Sequence, residues 1–291
     1  MRVLQTVVDE EGVVVRHILR VQAFAVLTVA AVLALPVVVS ASSVAQPPAS
    51  VGAATSTALT SAAASAKFVN QNGTPETLGA LKGKTVFVVP YLTLCGDTCP
   101  FTTGNMLQLQ DLVNANKLTN VVVVGLDVDP YRDTLARIKA YDKLIGANFQ
   151  LWTEEGSTTK PTLPKGAKLS SGMNGTVGKG DINANLLAVE KFFGWTVQVV
   201  PQSSPPPNDW MAPYEKLTYD INHSDGFWVI DPNQQVRFLS GTKPAFTGTL
   251  SKVLATFMGY KSNIYKTAVY KGGWTPQEAL QAIEWVTSTS S

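Results

Sequence analysis

The strongest constraint on the fold comes from two continuous apolar runs, T-V-F-V-V-P-Y-L-T at Thr85–Thr93 and V-V-V-V-G-L-D-V-D at Val121–Asp129. A strand with one face in water would alternate apolar and polar residues, so both runs are typical of strands buried on both faces. Only Pro90 disagrees, because proline cannot donate a hydrogen bond to a sheet and normally marks an edge or a bulge.

A helical pattern follows each of these predicted strands. Residues Pro100–Asn116 show apolar side chains at helical spacing, and Asp129-Pro130 has the form of an N-cap followed by proline in the first turn of a helix that runs to Tyr141. Strands that alternate with helices predict a parallel α/β sheet.

The rest of the chain continues in mixed α/β style. Apolar spacing predicts further helices at Asn183–Phe193, Thr247–Met258 and Pro276–Val286, and a β-hairpin at Phe227–Leu239 around a turn at Asp231–Gln234. The stretch at about 154–180 is rich in Gly, Ser, Thr, Lys and Pro and is predicted to be a surface insertion.

The N-terminal part predicts export from the cytoplasm. Residues 1–20 contain Arg16 and Arg20 and precede an uncharged apolar segment at 21–40, which is long enough to cross a membrane. Arginines before such a segment place the N-terminus in the cytoplasm and the remainder outside. We favour an uncleaved single-pass anchor in the cell membrane, and the alternative is a signal sequence whose cleavage releases a secreted protein.

Residues 41–66 are mostly Ala, Ser, Thr, Pro and Val, a composition that predicts a disordered linker. The folded domain is then expected to span 67–291. A formal net charge of +2 without a run of Lys or Arg argues against a nucleic-acid partner.

The two cysteines of the chain, Cys95 and Cys99, lie in C-G-D-T-C-P, where the first predicted strand turns into a helix. A disulfide between them would close a very short loop and contribute only about 2 kcal/mol, so stability is a weak reason for the pair. A helix N-terminus lowers the pKa of a nearby thiol, which suits either redox exchange or metal binding.

His223 is the histidine that could join the two cysteines, since His17 precedes the apolar segment. Two thiolates and one imidazole are too few for a structural zinc site, which takes four protein ligands, but they suit copper, and Cu(I) in particular. A lone histidine is more often a structural residue, yet N-H-S-D-G at 222–226 leads directly into a predicted strand.

Three segments, C-G-D-T-C-P, D-V-D-P-Y-R-D-T-L at Asp127–Leu135 and N-H-S-D-G-F-W-V-I-D-P at Asn222–Pro232, resemble the SCO/SenC family in order and character. The resemblance covers about 68–259. It implies a thioredoxin-like fold, a central mixed sheet flanked by helices, and a copper site formed by Cys95, Cys99 and His223. Family members are membrane-tethered and help to assemble the copper centre of cytochrome c oxidase.

The motifs also contain departures and neighbours of interest. The family usually has Asp before the histidine, where this chain has Asn222, and Asp97 lies between the cysteines; both are candidates for a role beside the metal ligands. We expect capping and turn roles for Asp129, Arg132 and Asp133. Met173 has a thioether that Cu(I) accepts, but its place in the insertion favours an incidental role.

The residues and the family resemblance together imply two alternative functions. The first is an extracytoplasmic copper-binding assembly factor that delivers copper to, or prepares the thiols of, a copper-containing oxidase subunit or another copper acceptor. The second is a thiol–disulfide oxidoreductase that uses Cys95 and Cys99, and only in that case would the protein be an enzyme. The C-x-x-x-C spacing argues against it, because redox thioredoxins use C-x-x-C.

The predicted topology can be tested with a fusion protein. Because the arginines precede the apolar segment, we expect a reporter joined after Ser291 to be active only outside the cytoplasm. Alkaline phosphatase, which needs an oxidising compartment, and a fluorescent protein that matures only in the cytoplasm would give opposite signals. Activity of the cytoplasmic reporter would contradict the predicted orientation.

Overall fold

The computed structural model of this chain describes residues 44–95, 97–154, 184–201, 219–257, 268–270 and 272–290. They belong to one structural unit, Ser42–Ser291. Within them the strands are β1 (Ala53–Ala58), β2 (Phe68–Asn70), β3 (Pro75–Glu76), β4 (Thr85–Tyr91), β5 (Val121–Asp127), β6 (Gln150–Glu154), β7 (Val197–Pro201), β8 (Tyr219–His223), β9 (Phe227–Ile230), β10 (Gln235–Ser240), β11 (Phe246–Gly248) and β12 (Ala268–Tyr270). The helices are α1 (Ser61–Ser65), α2 (Cys99–Ala115), α3 (Leu135–Ile145), α4 (Ala184–Phe193), α5 (Lys252–Phe257) and α6 (Pro276–Thr289), with a 3-10 turn at Leu78–Leu81.

The main sheet has β4 at its centre. Its strand order is β1-β10-β9-β4-β5-β6-β2-β3. The neighbours β5 and β6 continue in parallel on one side, whereas β9 and β10 form an antiparallel hairpin on the other. A central strand that leads into a cysteine-bearing helix, with parallel strands on one side and a hairpin on the other, is a thioredoxin-like α/β arrangement. The predicted thioredoxin-like fold with a central mixed sheet is confirmed.

Both faces of the sheet are covered, which explains why β4 and β5 are continuously apolar. Phe87 and Val89 lie in a core that includes α2 and α6, and Val86 and Val88 lie in a second core that includes α4. Alternate residues of a strand point to opposite faces, so each strand serves both cores.

Pro90 lies in this central strand without breaking the sheet. The pairing of β4 with β9 ends at Val88, while the parallel pairing with β5 continues through Pro90 to Tyr91. The N–H that Pro90 lacks is therefore at a position where the pairing of β4 with β9 has already ended.

The predicted disordered linker at 41–66 is wrong for much of its length. β1 pairs with β10, Val51 is buried in the core, and the Thr60 hydroxyl accepts a hydrogen bond from Ala63 N–H at the start of α1. Composition misled the prediction because backbone pairing with β10 needs no large apolar side chains, and because Ala63 and Ala66 are small enough to be buried against their neighbours.

Two helices also differ from their predicted bounds. Helix α3 begins at Leu135, with Thr134 as its N-cap, and not at the predicted Pro130. The reason is that the backbone carbonyl of Asp129 accepts hydrogen bonds from the N–H groups of a turn. The helix predicted at Thr247–Met258 is shorter, since Phe246–Gly248 is extended and pairs with β12.

The predicted membrane segment lies outside the described residues. Among the residues that the structure does describe, no helix combines the length and apolarity that a membrane span requires. The predicted insertion also lies outside them, apart from Glu154 at its start.

Glu154 and Glu190 form a buried acidic pair beside the first turn of α4. Glu154 is 1% exposed and accepts hydrogen bonds from the N–H groups of Asn185 and Leu186, at 2.8 and 3.2 Å. Glu190 is 2% exposed, and its Oε2 atom has no hydrogen-bond partner among the described residues. Burial raises the pKa of Glu154 to about 7, and burial together with the neighbouring Glu154 raises the pKa of Glu190 to about 8.

This pair gives stability a pH dependence of known sign. Between the ordinary glutamate pKa of 4.5 and about 8, the folded state keeps protons that the unfolded chain has released, so stability falls as pH rises through that window. We expect Glu190→Gln to raise the melting temperature at pH 8.5 by about 2–4 °C and to change it much less at pH 5.

Thermal denaturation at both pH values would measure this difference. Glu284→Gln on α6 serves as the control, because Glu284 is only half-buried and lies outside the pair. Equal effects of Glu190→Gln at pH 5 and pH 8.5 would show that the pair does not hold a proton in the folded state.

Candidate metal centre

Cys95 and Cys99 lie between the end of β4 and the first turn of α2. β4 ends at Tyr91, and α2 begins at Cys99 with Pro100 in its first turn. Thr98 precedes the helix without capping it by its side chain. The first N–H groups of a helix have no partners within the helix, so this end of α2 favours a negatively charged sulfur.

The third residue, His223, is the last residue of β8, where it pairs with Val197 of β7. Its Nδ1 atom lies 2.8 Å from the carbonyl oxygen of Ser224. Because a carbonyl can only accept, Nδ1 carries the proton, and Nε2 is left with its lone pair for another partner. Ser224 is itself held by Thr196, through bonds of 2.8 Å in both directions.

The three side chains converge. Their ligand atoms, the two Sγ atoms and the imidazole nitrogen, all lie within 4.8 Å of one another. Nε2 of His223 is 3.3 Å from Sγ of Cys99, and the N–H of Cys99 donates to Sγ of Cys95 at 3.3 Å. Cys99 is buried, Cys95 and His223 are half-buried, and both cysteines are free thiols.

The two thiols differ in their affinity for a proton. A hydrogen bond from Cys99 holds the pKa of Cys95 well below its usual range, with help from His223 and against the effect of burial. Burial raises the pKa of Cys99 well above its usual range, and the adjacent Cys95 sulfur adds to this. Cys95 is therefore the more acidic thiol of the pair, and Cys99 is the one that holds its proton more tightly.

His223 responds to the same charge. Burial acts to lower its pKa, but the Cys95 sulfur and the Ser224 carbonyl outweigh burial and raise the pKa above 6.5. Nε2 is close to Cys99, yet its electrostatic partner is Cys95, because that sulfur carries the charge.

The two residues predicted to act beside the metal ligands, Asp97 and Asn222, are both exposed. Asp97 lies between the two cysteines, and Asn222 lies on β8. Side chains alternate along a strand, so Asn222 points away from the face that carries His223. Asp225, which sequence reasoning missed, is half-buried; burial raises its pKa, whereas His223 and Lys243 lower it.

Asp133 has a role beyond the predicted turn. Its N–H donates to the Asp129 carbonyl within the turn at 2.8 Å, and its carboxylate accepts hydrogen bonds from the N–H and hydroxyl of Thr93, two residues before Cys95. Asp129 forms a buried ion pair with Arg132. Met173 lies outside the described residues.

The donor set fits one soft metal ion. Ligand bonds of about 2.0–2.3 Å separate two donors of one ion by at most about 4.6 Å, close to the spacing of these three atoms. No fourth His, Cys, Asp or Glu joins the cluster among the residues that the structure describes. Two sulfurs with one imidazole nitrogen suit a soft ion of low coordination number.

The asymmetry of the thiols has a direct chemical test. Because the thiolate is the nucleophile and Cys95 is also the more exposed sulfur, we expect iodoacetamide at pH 7 to modify Cys95 at least about tenfold faster than Cys99. Brief alkylation of the reduced protein, followed by peptide mass spectrometry, measures both rates. In Cys99→Ala, Cys95 should stay reactive but less so, because it loses the side-chain hydrogen-bond donor that lowers its pKa. Equal rates, or faster reaction at Cys99, would reverse the assignment.

Comparison with known proteins finds relatives for part of this chain. Residues 55–162 match the SCO1/SenC family model. An SCO2-like protein of Rickettsia conorii is 30% identical over 83 residues, which are 28% of this chain and 40% of that protein. A protein of Stutzerimonas stutzeri described as a candidate copper-binding protein is 31% identical over 83 residues, 28% of this chain and 41% of that protein. The match thus spans less than half the length of these relatives.

Among solved structures, copper-bound ScoI of Bradyrhizobium japonicum is similar at 18% identity and a TM-score of 0.42, covering 66% of this chain and 92% of that chain. The matched segment of the family model contains Cys95 and Cys99 and ends before His223. The resemblance inferred from the motifs is confirmed over residues 55–162, which match the SCO1/SenC family model and carry both cysteines of the site.

Proposed function

We propose that this protein is an extracytoplasmic copper-binding assembly factor that delivers copper to an acceptor protein, the copper-containing subunit of cytochrome c oxidase. The observation that carries the proposal is the convergence of Cys95, Cys99 and His223, whose ligand atoms lie within 4.8 Å of one another. The similarity of residues 55–162 to SCO1/SenC proteins supports it.

Copper is favoured over zinc by the number and type of ligands. A structural zinc site takes four protein ligands, and the cluster has three among the described residues. Thiolates are soft ligands that select Cu(I), and imidazole accepts either copper oxidation state. We therefore assign Cys95, Cys99 and His223 as the copper ligands.

The arrangement also suits a cargo that must leave. Cys95 is half-buried and has a lowered pKa, so it is the thiol that binds an incoming ion first. Cys99 must then release its proton, and His223 offers Nε2 because Nδ1 is bonded to Ser224. The partial exposure of Cys95 and His223 gives the thiolates of an acceptor a route to displace these ligands one at a time.

The location of the protein is part of the same proposal. The apolar segment at 21–40, with arginines before it, would hold the domain at the outer face of the cell membrane. The acceptor itself is inferred from the family resemblance.

A thiol–disulfide oxidoreductase is the second candidate, and one observation favours it. The half-buried Cys95 has a lowered pKa and the buried Cys99 a raised one, which are the properties of an attacking and a resolving cysteine. The proximity of His223 argues for metal binding, since dithiol exchange requires no imidazole at this position.

His223→Ala separates the two functions. A copper site loses one of three ligands, and since changes beside a metal ligand already cost about 10–100-fold in affinity, we expect at least that loss together with an altered Cu(II)–thiolate absorption. A dithiol reductase would keep most of its activity. Competition with a Cu(I) chelator and reduction of a mixed disulfide would be measured on the same samples.

Gln198→Ala is the matched control for this experiment. Gln198 is exposed on β7, next to the Val197 that pairs with His223, so its loss perturbs the same strand pair without removing a ligand. Unchanged copper affinity in His223→Ala, with strong reductase activity in all three proteins, would replace the copper proposal by the oxidoreductase.

A further inference from the structure

Cys95 differs from the other two proposed ligands in how its backbone is held. Cys99 belongs to the first turn of α2, and His223 belongs to β8. β4 ends at Tyr91, and Leu92-Thr93-Leu94 lead from it to Cys95, which lies in neither a helix nor a strand. The position of its sulfur therefore depends on what fixes this short loop.

Thr93 is where the loop is fixed. Its N–H donates to Oδ2 of Asp133 at 2.6 Å, and its hydroxyl donates to Oδ1 of the same carboxylate. Thr93 is 2% exposed and Asp133 is 0% exposed, so water does not compete for these bonds. Hydrogen bonds to a charged, buried carboxylate are the stronger kind.

Arg137 completes the cluster from the first turn of α3. Its Nε–H donates to the Thr93 hydroxyl oxygen at 2.7 Å and lies 3.2 Å from Oδ1 of Asp133. Arg137 is 0% exposed, so its charge balances the buried carboxylate without the screening of bulk water. The Thr153 hydroxyl donates to the Asp133 carbonyl oxygen at 2.8 Å, which ties the segment to β6.

We propose that the Thr93–Asp133–Arg137 cluster positions Cys95 for metal binding, with Asp133 as its positioning residue. This inference rests on the proposed copper site for its metal readout. The cluster touches no ligand atom; it sets where the Cys95 sulfur lies relative to Cys99 and His223. It also maintains the hydrogen bond from the Cys99 N–H to the Cys95 sulfur, because that bond requires both backbones to stay in place.

The experiment compares three variants of the full chain. Asp133→Asn removes the charge and one acceptor, and Thr93→Val removes the hydroxyl but keeps the N–H and the shape of the side chain. Asp231→Asn is the matched control: Asp231 is also buried, accepts N–H groups of Asn233 and Gln235 and pairs with Arg237, but it lies in the turn between β9 and β10.

We expect Asp133→Asn to lose about 10–100-fold in Cu(I) affinity, measured by competition with a chelator, and to shift the Cu(II)–thiolate absorption. Thr93→Val should show the same changes with a smaller amplitude, and Asp231→Asn should bind as the wild type does. Melting temperatures establish that each variant is folded. If Asp133→Asn does not fold, the copper affinity of Thr93→Val tests the positioning role instead.

A second readout needs no metal. The equilibrium in which glutathione disulfide oxidises Cys95 and Cys99 to a disulfide, releasing two molecules of glutathione, reports how often the two sulfurs meet. We expect its constant to fall about tenfold in Asp133→Asn. If the wild type binds no copper while this shift persists, the proposed function fails and the positioning role stands. Folded Asp133→Asn and Thr93→Val that match Asp231→Asn in both readouts would overturn the positioning role.

Discussion

The parallel pairing of β4 with β5, from Thr85 opposite Val121 to Tyr91 opposite Asp127, is the interaction on which the rest of the structure depends. It places the ends of both strands side by side, so the chain leaves β4 toward Cys95 and leaves β5 toward Asp133 at the same edge of the sheet. The N–H of Val128 donates to the Tyr91 carbonyl at 2.9 Å and extends the contact beyond the strands.

The metal centre is built from parts that are stabilised separately. Helix α2 fixes Cys99, the β7–β8 pair fixes His223, and the loop after β4 carries Cys95. Such a division brings the three donors together from separately held parts of the fold. It also explains the unequal thiols: the sulfur that accepts hydrogen bonds from Cys99 has a lowered pKa, and the sulfur buried in the apolar core has a raised one.

Buried charge is used in two contrasting ways around this centre. Asp133 is matched by Arg137 and by two donors from Thr93, so its burial is compensated and stabilises one loop conformation. Glu190 faces another carboxyl group and has an unbonded oxygen among the described residues, so the protonated form is favoured and the pair weakens the fold as pH rises. Burying a carboxyl group thus stabilises the loop that carries Cys95 in one place, where the charge is compensated, and makes stability depend on pH in another, where it is not.

By itself the sequence determined the buried strands β4 and β5, helix α2 and the β9–β10 hairpin, and it predicted the three residues of the candidate metal centre, because apolar periodicity and the scarcity of Cys and His are local properties. Tertiary structure alone decided that Ala53–Ala58 is a strand, since its order comes from the backbone of β10. It also decided that Asp133 binds Thr93, 40 residues away in the chain, and that Glu154 meets Glu190. These contacts join segments whose separation in sequence carries no pattern, and only the packing of the strands brings them together.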